Sequence, residues 1–259
     1  MRIKTIFSKV VKRVGLYNEF LVLNFTVKRL LGIKQKEFHS LKEFYKTHIK
    51  NNSLVFDVGS NIGDRADVFL SLGARCICLE PNGNLIKIVK ARFQGVVGLK
   101  ILNKGCGSKV GTLQFKLASN SLVSTFSEKF IEHRHKIGEN SNWDHSVEVE
   151  VTTLDNLISE FGVPDFCKID VEGYEKNVLE GLNSKVGTIS FEFTSPTFNE
   201  DTIWCVNKLT ALGYASFNIS FGESLQFVFD EWITGDALAQ FISVDSKMKR
   251  PAYGDIYAR

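Results

Sequence analysis

Eleven residues constrain this chain more than any others. Leu54-Val55-Phe56-Asp57-Val58-Gly59-Ser60-Asn61-Ile62-Gly63-Asp64 runs from β-branched and aromatic residues into a glycine-rich turn and then into helix-forming sequence. That is the pattern of the first strand and ligand loop of a nucleotide-type α/β fold. Gly59 lets backbone approach a ligand where a Cβ would intrude. Asn61, with Asp64 three residues on, makes a capping-box-like start for a helix over 62–72, whose free N–H groups would face an anionic group. The glycines are spaced Gly-x-x-x-Gly, whereas a dinucleotide pyrophosphate is placed by Gly-x-Gly-x-x-Gly. The loop therefore suits a ligand with one small carboxylate.

Composition adds limits rather than identity. With 259 residues, 44% hydrophobic and 24% charged, the chain can bury one sizeable α/β domain with an appendage. Cys76, Cys78, Cys106, Cys167 and Cys205 are odd in number and lack Cys-x-x-Cys spacing, so neither a disulfide framework nor a zinc ribbon is indicated. Cys76 and Cys78 share a face of an expected strand and read as buried packing; no metal is assigned. A reducing cytoplasm is the expected setting. Charge is uneven: residues 1–36 hold nine Lys/Arg against one Glu, a net +8, so the rest of a chain at +3 carries −5. Ile3, Ile6, Phe7, Val10, Val11 and Val14 recur at helical spacing among Lys4, Lys9, Lys12 and Arg13, an amphipathic basic helix. It reads as a helix packed on the main domain, with peripheral contact to the inner face of the membrane as the second reading. The apolar stretch 20–25 is too short to span a bilayer and carries no cleavage pattern, and no groove-reading motif speaks for a nucleic-acid partner.

An N-terminal helical extension (1–50) and one domain (51–259) are the expected organisation. Strands are expected at 54–58, 75–79, 99–103, 165–170, 188–193, 215–219 and 225–230, with helices over 62–72, 82–93, 153–161 and 174–182, the rhythm of a parallel sheet covered on both faces. Only 220–224 separates the last two strands, which implies an antiparallel hairpin at the sheet edge. Extended segments at 111–117 and 147–152 enclose a polar loop, 118–146, a candidate substrate lid carrying His133, His135 and His145. The tail 253–259, aromatic and charged, reads as a frayed terminus, with folding back over the site as the second reading.

Glu80, in the turn Leu79-Glu80-Pro81 after the second strand, is placed to accept both hydroxyls of a ribose. S-adenosylmethionine, a nucleoside joined to an amino-acid carboxylate, fits this and the first loop. Asn103, at the end of the third strand, sits where an adenine edge would lie. The fourth strand delivers Asp170 to the carboxyl edge of the sheet, with Glu172 in the next turn; the two can divide orientation and proton acceptance. His133 or His135 is the other candidate base. Glu175 is expected to cap the following helix. Lys168 falls inside a buried strand and needs a partner, for which Glu192 is the expected choice.

Phe56-Asp57-Val58-Gly59-Ser60-Asn61-Ile62-Gly63, Leu79-Glu80-Pro81, Thr153-Leu154-Asp155-Asn156-Leu157 and Lys168-Ile169-Asp170-Val171-Glu172-Gly173-Tyr174-Glu175, in this order, resemble the FkbM family of methyltransferases over about residues 53–230. The resemblance implies a Rossmann-like class I methyltransferase fold, with a mostly parallel seven-stranded sheet ending in a C-terminal antiparallel hairpin. It implies S-adenosylmethionine held by Asp57, Gly59, Asn61, Gly63 and Glu80; Ser60, Pro81 and Asn103 complete the expected cofactor-binding set. Asp155 would begin a helix flanking the site, and Asp170 with Glu172 would face the reaction centre. O-methylation of a sugar or natural-product glycoside follows as the expected activity. Two departures stand out: Asn103-Lys104-Gly105 replaces an Asn-x-Ala-type segment, and Glu192-Phe193-Thr194 lacks the histidine of a frequent Glu-x-His pattern. A nicotinamide-dependent oxidoreductase, and a scaffold that keeps the fold and binds membrane or a partner through its basic helix, are the rival readings.

Overall fold

A computed structural model describes residues 35–139 and 141–259. The basic helix expected near the N-terminus lies outside the described residues. Along the chain, α1 (Gln35–Tyr45), β1 (Leu54–Val58), α2 (Asp64–Ser71), β2 (Arg75–Leu79), α3 (Gly83–Arg92) and β3 (Leu99–Leu102) come first. They are followed by β4 (Gly105–Cys106), β5 (Gly111–Leu117), α4 (Glu128–Lys136), β6 (His145–Thr152), α5 (Leu154–Phe161), β7 (Phe166–Ile169) and α6 (Glu175–Glu180). Last are β8 (Thr188–Ser195), α7 (Asn199–Ala211), β9 (Phe217–Phe221), α8 (Gly235–Val244) and β10 (Ala252–Ala258).

Seven strands form one sheet in the order β3-β2-β1-β7-β8-β10-β9. The pairs from β3 to β8 are parallel, and β10 runs antiparallel to both β8 and β9. This is the Rossmann-like class I methyltransferase layout with its antiparallel C-terminal pair. The second strand of that pair differs from expectation: residues 225–230 are not a strand, and the tail supplies β10 instead. Leu225 and Phe227 pack on the α1–α2 side of the sheet. The tail alternates Tyr253, Asp255, Tyr257 with Gly254, Ile256, Ala258, and that period of two suits a strand seated between two others.

Strand alternation divides the core. Phe56, Val58, Cys167, Ile169, Ile189 and Phe191 face α5–α8, while Val55, Cys76, Cys78 and Phe166 face α1–α3. Helix α1 is anchored by Leu41 and Tyr45, and Ile49 follows it into the same core. Among the described residues no helix is long and apolar enough to cross a membrane.

The extended segments around the polar loop pair antiparallel as β5 and β6, with β4 on the other edge of β6. The loop between them is structured: α4 is capped by Ser127, and Val123 and Phe130 pack with Phe198 from the segment before α7. The Trp143 indole N–H donates to the Val123 carbonyl at 2.9 Å.

Candidate active site

The glycine loop is fixed by its own backbone. Gly59 and Ser60 each donate an N–H to the Leu79 carbonyl at 2.9 Å, tying the end of β1 to the end of β2. Gly59 has φ 87°, and a Cβ there would stand 1.8 Å from the Asp170 carbonyl oxygen. Only glycine allows the loops after β1 and β7 to approach so closely. The expected capping box does not form. Asn61 (φ 50°) and Gly63 (φ 80°) turn left-handed before the helix, so the N-cap is Gly63 without a side-chain bond. Asn61 Oδ1 accepts the Ile62 N–H, and Asp64 pairs with Arg92 at 2.6 Å.

Glu80 is 5% exposed and stands beneath this loop. Its Oε2 accepts the Asn61 N–H at 2.9 Å and its Oε1 accepts the Asn82 N–H at 2.8 Å. One bond on each oxygen leaves a lone pair on each for a vicinal diol. Burial pushes the Glu80 carboxyl up to about 7, against those two N–H bonds. Asp57 is also pushed up to about 7 by burial. Asn103 Nδ2 donates to the carbonyls of Glu80 and Pro81, at 2.9 and 3.0 Å, so its amide buttresses the turn. Ser60 Oγ is buried without a hydrogen-bond partner at the cavity wall.

The other wall is the end of β7. Lys168 is 1% exposed, and its ammonium lies 2.8 Å from Asp255 Oδ1 and 3.2 Å from Asp170 Oδ2. Burial opposes the charge, but Asp170 and Asp255 outweigh it and hold the Lys168 pKa well above the ordinary lysine value. The expected Lys168–Glu192 ion pair is therefore replaced by one with Asp170 and Asp255. The tail strand sets Asp255 beside Glu192 in register, and Asp255 reaches the ammonium instead. Carboxylate oxygens of Asp170, Glu172 and Glu192 gather within 4.8 Å of one another. Neither Glu172 nor Glu192 has a side-chain hydrogen bond or ion pair among the described residues, and burial, reinforced by Asp170, raises both well above the usual carboxylate range.

The turn that presents Glu172 is held from two sides. Glu175 Oε1 accepts the N–H groups of Val171 (3.1 Å) and Gly173 (3.2 Å), so this carboxylate braces the turn as well as opening α6. Thr125 Oγ1 donates to the Glu172 carbonyl at 2.7 Å, and a Cβ on Gly173 would meet Phe130 Cβ at 2.9 Å. The segment between β5 and β6 thus rests on the turn carrying Glu172.

Between these walls lies a cavity of about 550 Å³. Asp57, Gly59, Ser60, Asn61, Glu80, Pro81, Asp170 and Glu172 of the expected set line it; Gly63 and Asn103 do not. Gly63 instead packs against Phe93, where a Cβ would come within 2.7 Å of the ring. Neither His133 nor His135 is among the lining residues: His133 Nδ1 bonds Thr197 Oγ1 at 2.8 Å, and His135 stacks edgewise on Trp143. Arg65, Glu192, Glu223 and Leu122 also line the cavity, without having been singled out for binding in the sequence. The expected free N–H groups of the glycine loop are not found, since those of Gly59, Ser60, Asn61, Ile62 and Gly63 are all bonded within the protein. The residues present still fit S-adenosylmethionine: Glu80, with a lone pair left on each oxygen, and the unsatisfied Ser60 hydroxyl lie along one wall.

Comparison with known proteins identifies the family. The model of the methyltransferase FkbM domain matches residues 57–233. A hexuronic acid methyltransferase, AglP, from Haloferax volcanii is 26% identical over 145 residues, 55% of this chain and 55% of that protein, so the chain spans about half the length of this curated relative. Among solved structures, a precorrin-6y C5,15-methyltransferase from Geobacter metallireducens superposes with a TM-score of 0.42 at 12% identity, over 83% of this chain and 84% of that one. Aeropyrum pernix fibrillarin, in complex with S-adenosylmethionine, gives 0.43 at 9%, over 82% and 68%. The chain belongs to the FkbM methyltransferase family, whose cofactor is S-adenosylmethionine.

Proposed function

We propose that the protein methylates a hydroxyl of a sugar or natural-product glycoside, with S-adenosylmethionine as donor. The observation that carries the reading is the pairing of two walls: a buried diol-accepting Glu80 on one side, and an unpaired Glu172 beside a lysine-held Asp170 on the other. The hexuronic acid named for the Haloferax relative supports a carbohydrate acceptor. Adjacent strands stand about 4.8 Å apart, so β2 to β8 spans roughly 14 Å, enough to seat donor and acceptor in line along the carboxyl edge.

S-adenosylmethionine supplies an electrophilic methyl on a sulfonium when bound. Residues of the chain hold the reactants in line and take up the proton. Asp170, one oxygen held by Lys168, orients; Glu172, with no partner of its own, accepts the acceptor hydroxyl's proton as the oxygen–methyl bond forms and the sulfur–methyl bond breaks. Glu172 must be ionised to do so, and its raised pKa makes turnover climb with pH above the usual carboxylate range.

Thermal unfolding with S-adenosylmethionine, S-adenosylhomocysteine and NADH, each at about a hundred times its dissociation constant, tests the cofactor. Stabilisation by roughly 2.7 kcal/mol is expected with the first two alone. A shift with NADH alone would favour an oxidoreductase, and no shift with either sulfur ligand would favour a non-catalytic scaffold. Asp170→Asn and Glu172→Gln should keep the cofactor shift and lose turnover.

A further inference from the structure

We infer that the acceptor carries no negative charge near the methylated hydroxyl, and that an amino sugar is preferred to a neutral sugar and a neutral sugar to a uronic acid. The inference rests on the methyltransferase reading above and adds the charge class of its acceptor. Eight carboxylate residues line the cavity against three cations. Glu80 and Asp57 belong to the cofactor end, beneath β1 and β2, and Asp64 is neutralised by Arg92. Over β7 and β8, where the acceptor must lie, are Asp170, Glu172 and Glu192, and Glu37 and Glu223 also border the cavity.

Each lining cation is already engaged. Lys168 is shared by Asp170 and Asp255, Arg65 lies 2.6 Å from Glu223 Oε2, and Lys104 lies 3.1 Å from Glu150 Oε2 at an exposed rim. Bound S-adenosylmethionine adds a sulfonium, an ammonium and a carboxylate, one net positive charge, which does not reverse the balance. A uronate would have to enter beside Asp170 and beside Glu172 in the ionised form in which it takes the proton, within a group of carboxyls whose ionisation is already opposed by burial and by one another. Like charges a few ångströms apart in a partly dry site are repelled by several kcal/mol, and that is enough to choose among acceptors. An ammonium in the same place meets two carboxylates with no other partner, and the hydroxyls of a neutral sugar meet acceptors without incurring the repulsion. The hexuronic acid of the Haloferax relative is thus the least favoured of the three charge classes here.

The test is calorimetric titration of the full chain, first with S-adenosylhomocysteine, then, on the saturated complex, with the methyl glycosides of glucosamine, glucose and glucuronic acid at pH 7.5, with EDTA and again with magnesium. Failure of S-adenosylhomocysteine to bind would refute the methyltransferase reading itself. With that ligand bound, the amino glycoside should bind at least tenfold more tightly than the uronate in both conditions. Glu223→Gln, which alters an exposed side chain and frees Arg65, should narrow the gap by improving the uronate. Equal affinities, a uronate preference with or without magnesium, or no binding of the amino glycoside would each overturn the charge assignment while leaving the cofactor result standing.

Discussion

Replacing Lys168 by methionine removes the one ammonium between Asp170 and Asp255 and keeps most of the side-chain volume. At an effective dielectric constant of about 20, unit charges about 3 Å apart attract by roughly 5 kcal/mol, so the two contacts at 2.8 and 3.2 Å offset the several kcal/mol of burying three charged groups. Intact, the triad is close to neutral for stability. Without the cation, Asp255 is left as a mostly buried carboxylate and Asp170 as one that faces the cavity with its side chain 35% exposed, so the loss approaches, at most, the roughly 3–5 kcal/mol of breaking a fully buried pair. For a chain of this size each kcal/mol moves the midpoint by roughly 2–4 °C, so Lys168→Met should melt on the order of 10 °C lower. Asp255→Asn in the same chain should recover part of the loss, since one of the stranded charges is then gone. Urea unfolding of the wild type, the single and the double variant at pH 8 measures this. A loss under about 1 kcal/mol at pH 8, or a double variant no more stable than the single, would refute the shared-ammonium account.

Glu80→Gln should weaken S-adenosylmethionine binding by about ten- to a hundredfold in calorimetry, since an amide cannot accept two ribose hydroxyls. The same variant removes the cost of ionising a carboxyl raised from 4.5 to about 7 but sets an amide NH2 against one of the two N–H groups Glu80 accepts, so it should be less stable than wild type near pH 4 and gain on wild type by up to roughly 3 kcal/mol between pH 4 and pH 8. Since Glu80 and Asp57 both sit near 7, their contribution to the free fold is intact below about pH 4 and is lost as pH rises through 7. Cofactor affinity should rise over pH 6 to 8, with proton release seen as a buffer-dependent binding enthalpy; a flat affinity would remove Glu80 from the cofactor. Gly59→Ala should destabilise by well over about 2 kcal/mol and abolish cofactor binding, whereas Gly95→Ala, with φ 76° but nothing within 4 Å, should cost only about 1–2 kcal/mol of backbone strain. Equal melting shifts in the two variants would show that the contact with the Asp170 carbonyl is unimportant.

The parallel part of the sheet was legible because β1, β2, β7 and β8 are short apolar runs each followed by a turn and a helix, and because Glu80 and Asp170 follow the ends of such runs. What escaped the sequence lay in long-range pairing. Asp255 partners a lysine 87 positions away, and its strand is inserted between β8 and β9 rather than beside its sequence neighbour. The tail's strict alternation of Tyr253, Asp255 and Tyr257 was the available signal, and it reads as a strand once a terminus is no longer assumed to fray. Glu192 was visible only as a partner for Lys168. Its grouping with Glu172 depends on where the turn after β7 folds back, which Thr125 and Glu175 decide through backbone bonds that no pattern announces. The capping box failed for a local reason: Asn61 itself and Gly63 turn left-handed before the helix begins at Asp64.

The two faces of the sheet explain how such a charged cavity coexists with a stable fold. On the α5–α8 side the strands present Phe56, Val58, Ile169, Phe191, Ile219 and Ile256, a continuous apolar surface. On the other side, register aligns Asp57, Lys168, Ser190, Tyr257 and Asn218 in one row across five strands. Buried polar groups of this kind are tolerated where they are paired, as Lys168 is with Asp255 and as the Asn218 amide is with the Phe229 carbonyl at 2.8 Å. They also specify pairing. A slip of β10 by one residue would turn Asp255 into the apolar face and Ile256 toward the ammonium, stranding a charge on each side of the sheet. The ion pair that positions Asp170 therefore also fixes the register of the strand that supplies it, and loss of Lys168 should be felt at the C-terminal strand as well as at the reaction centre.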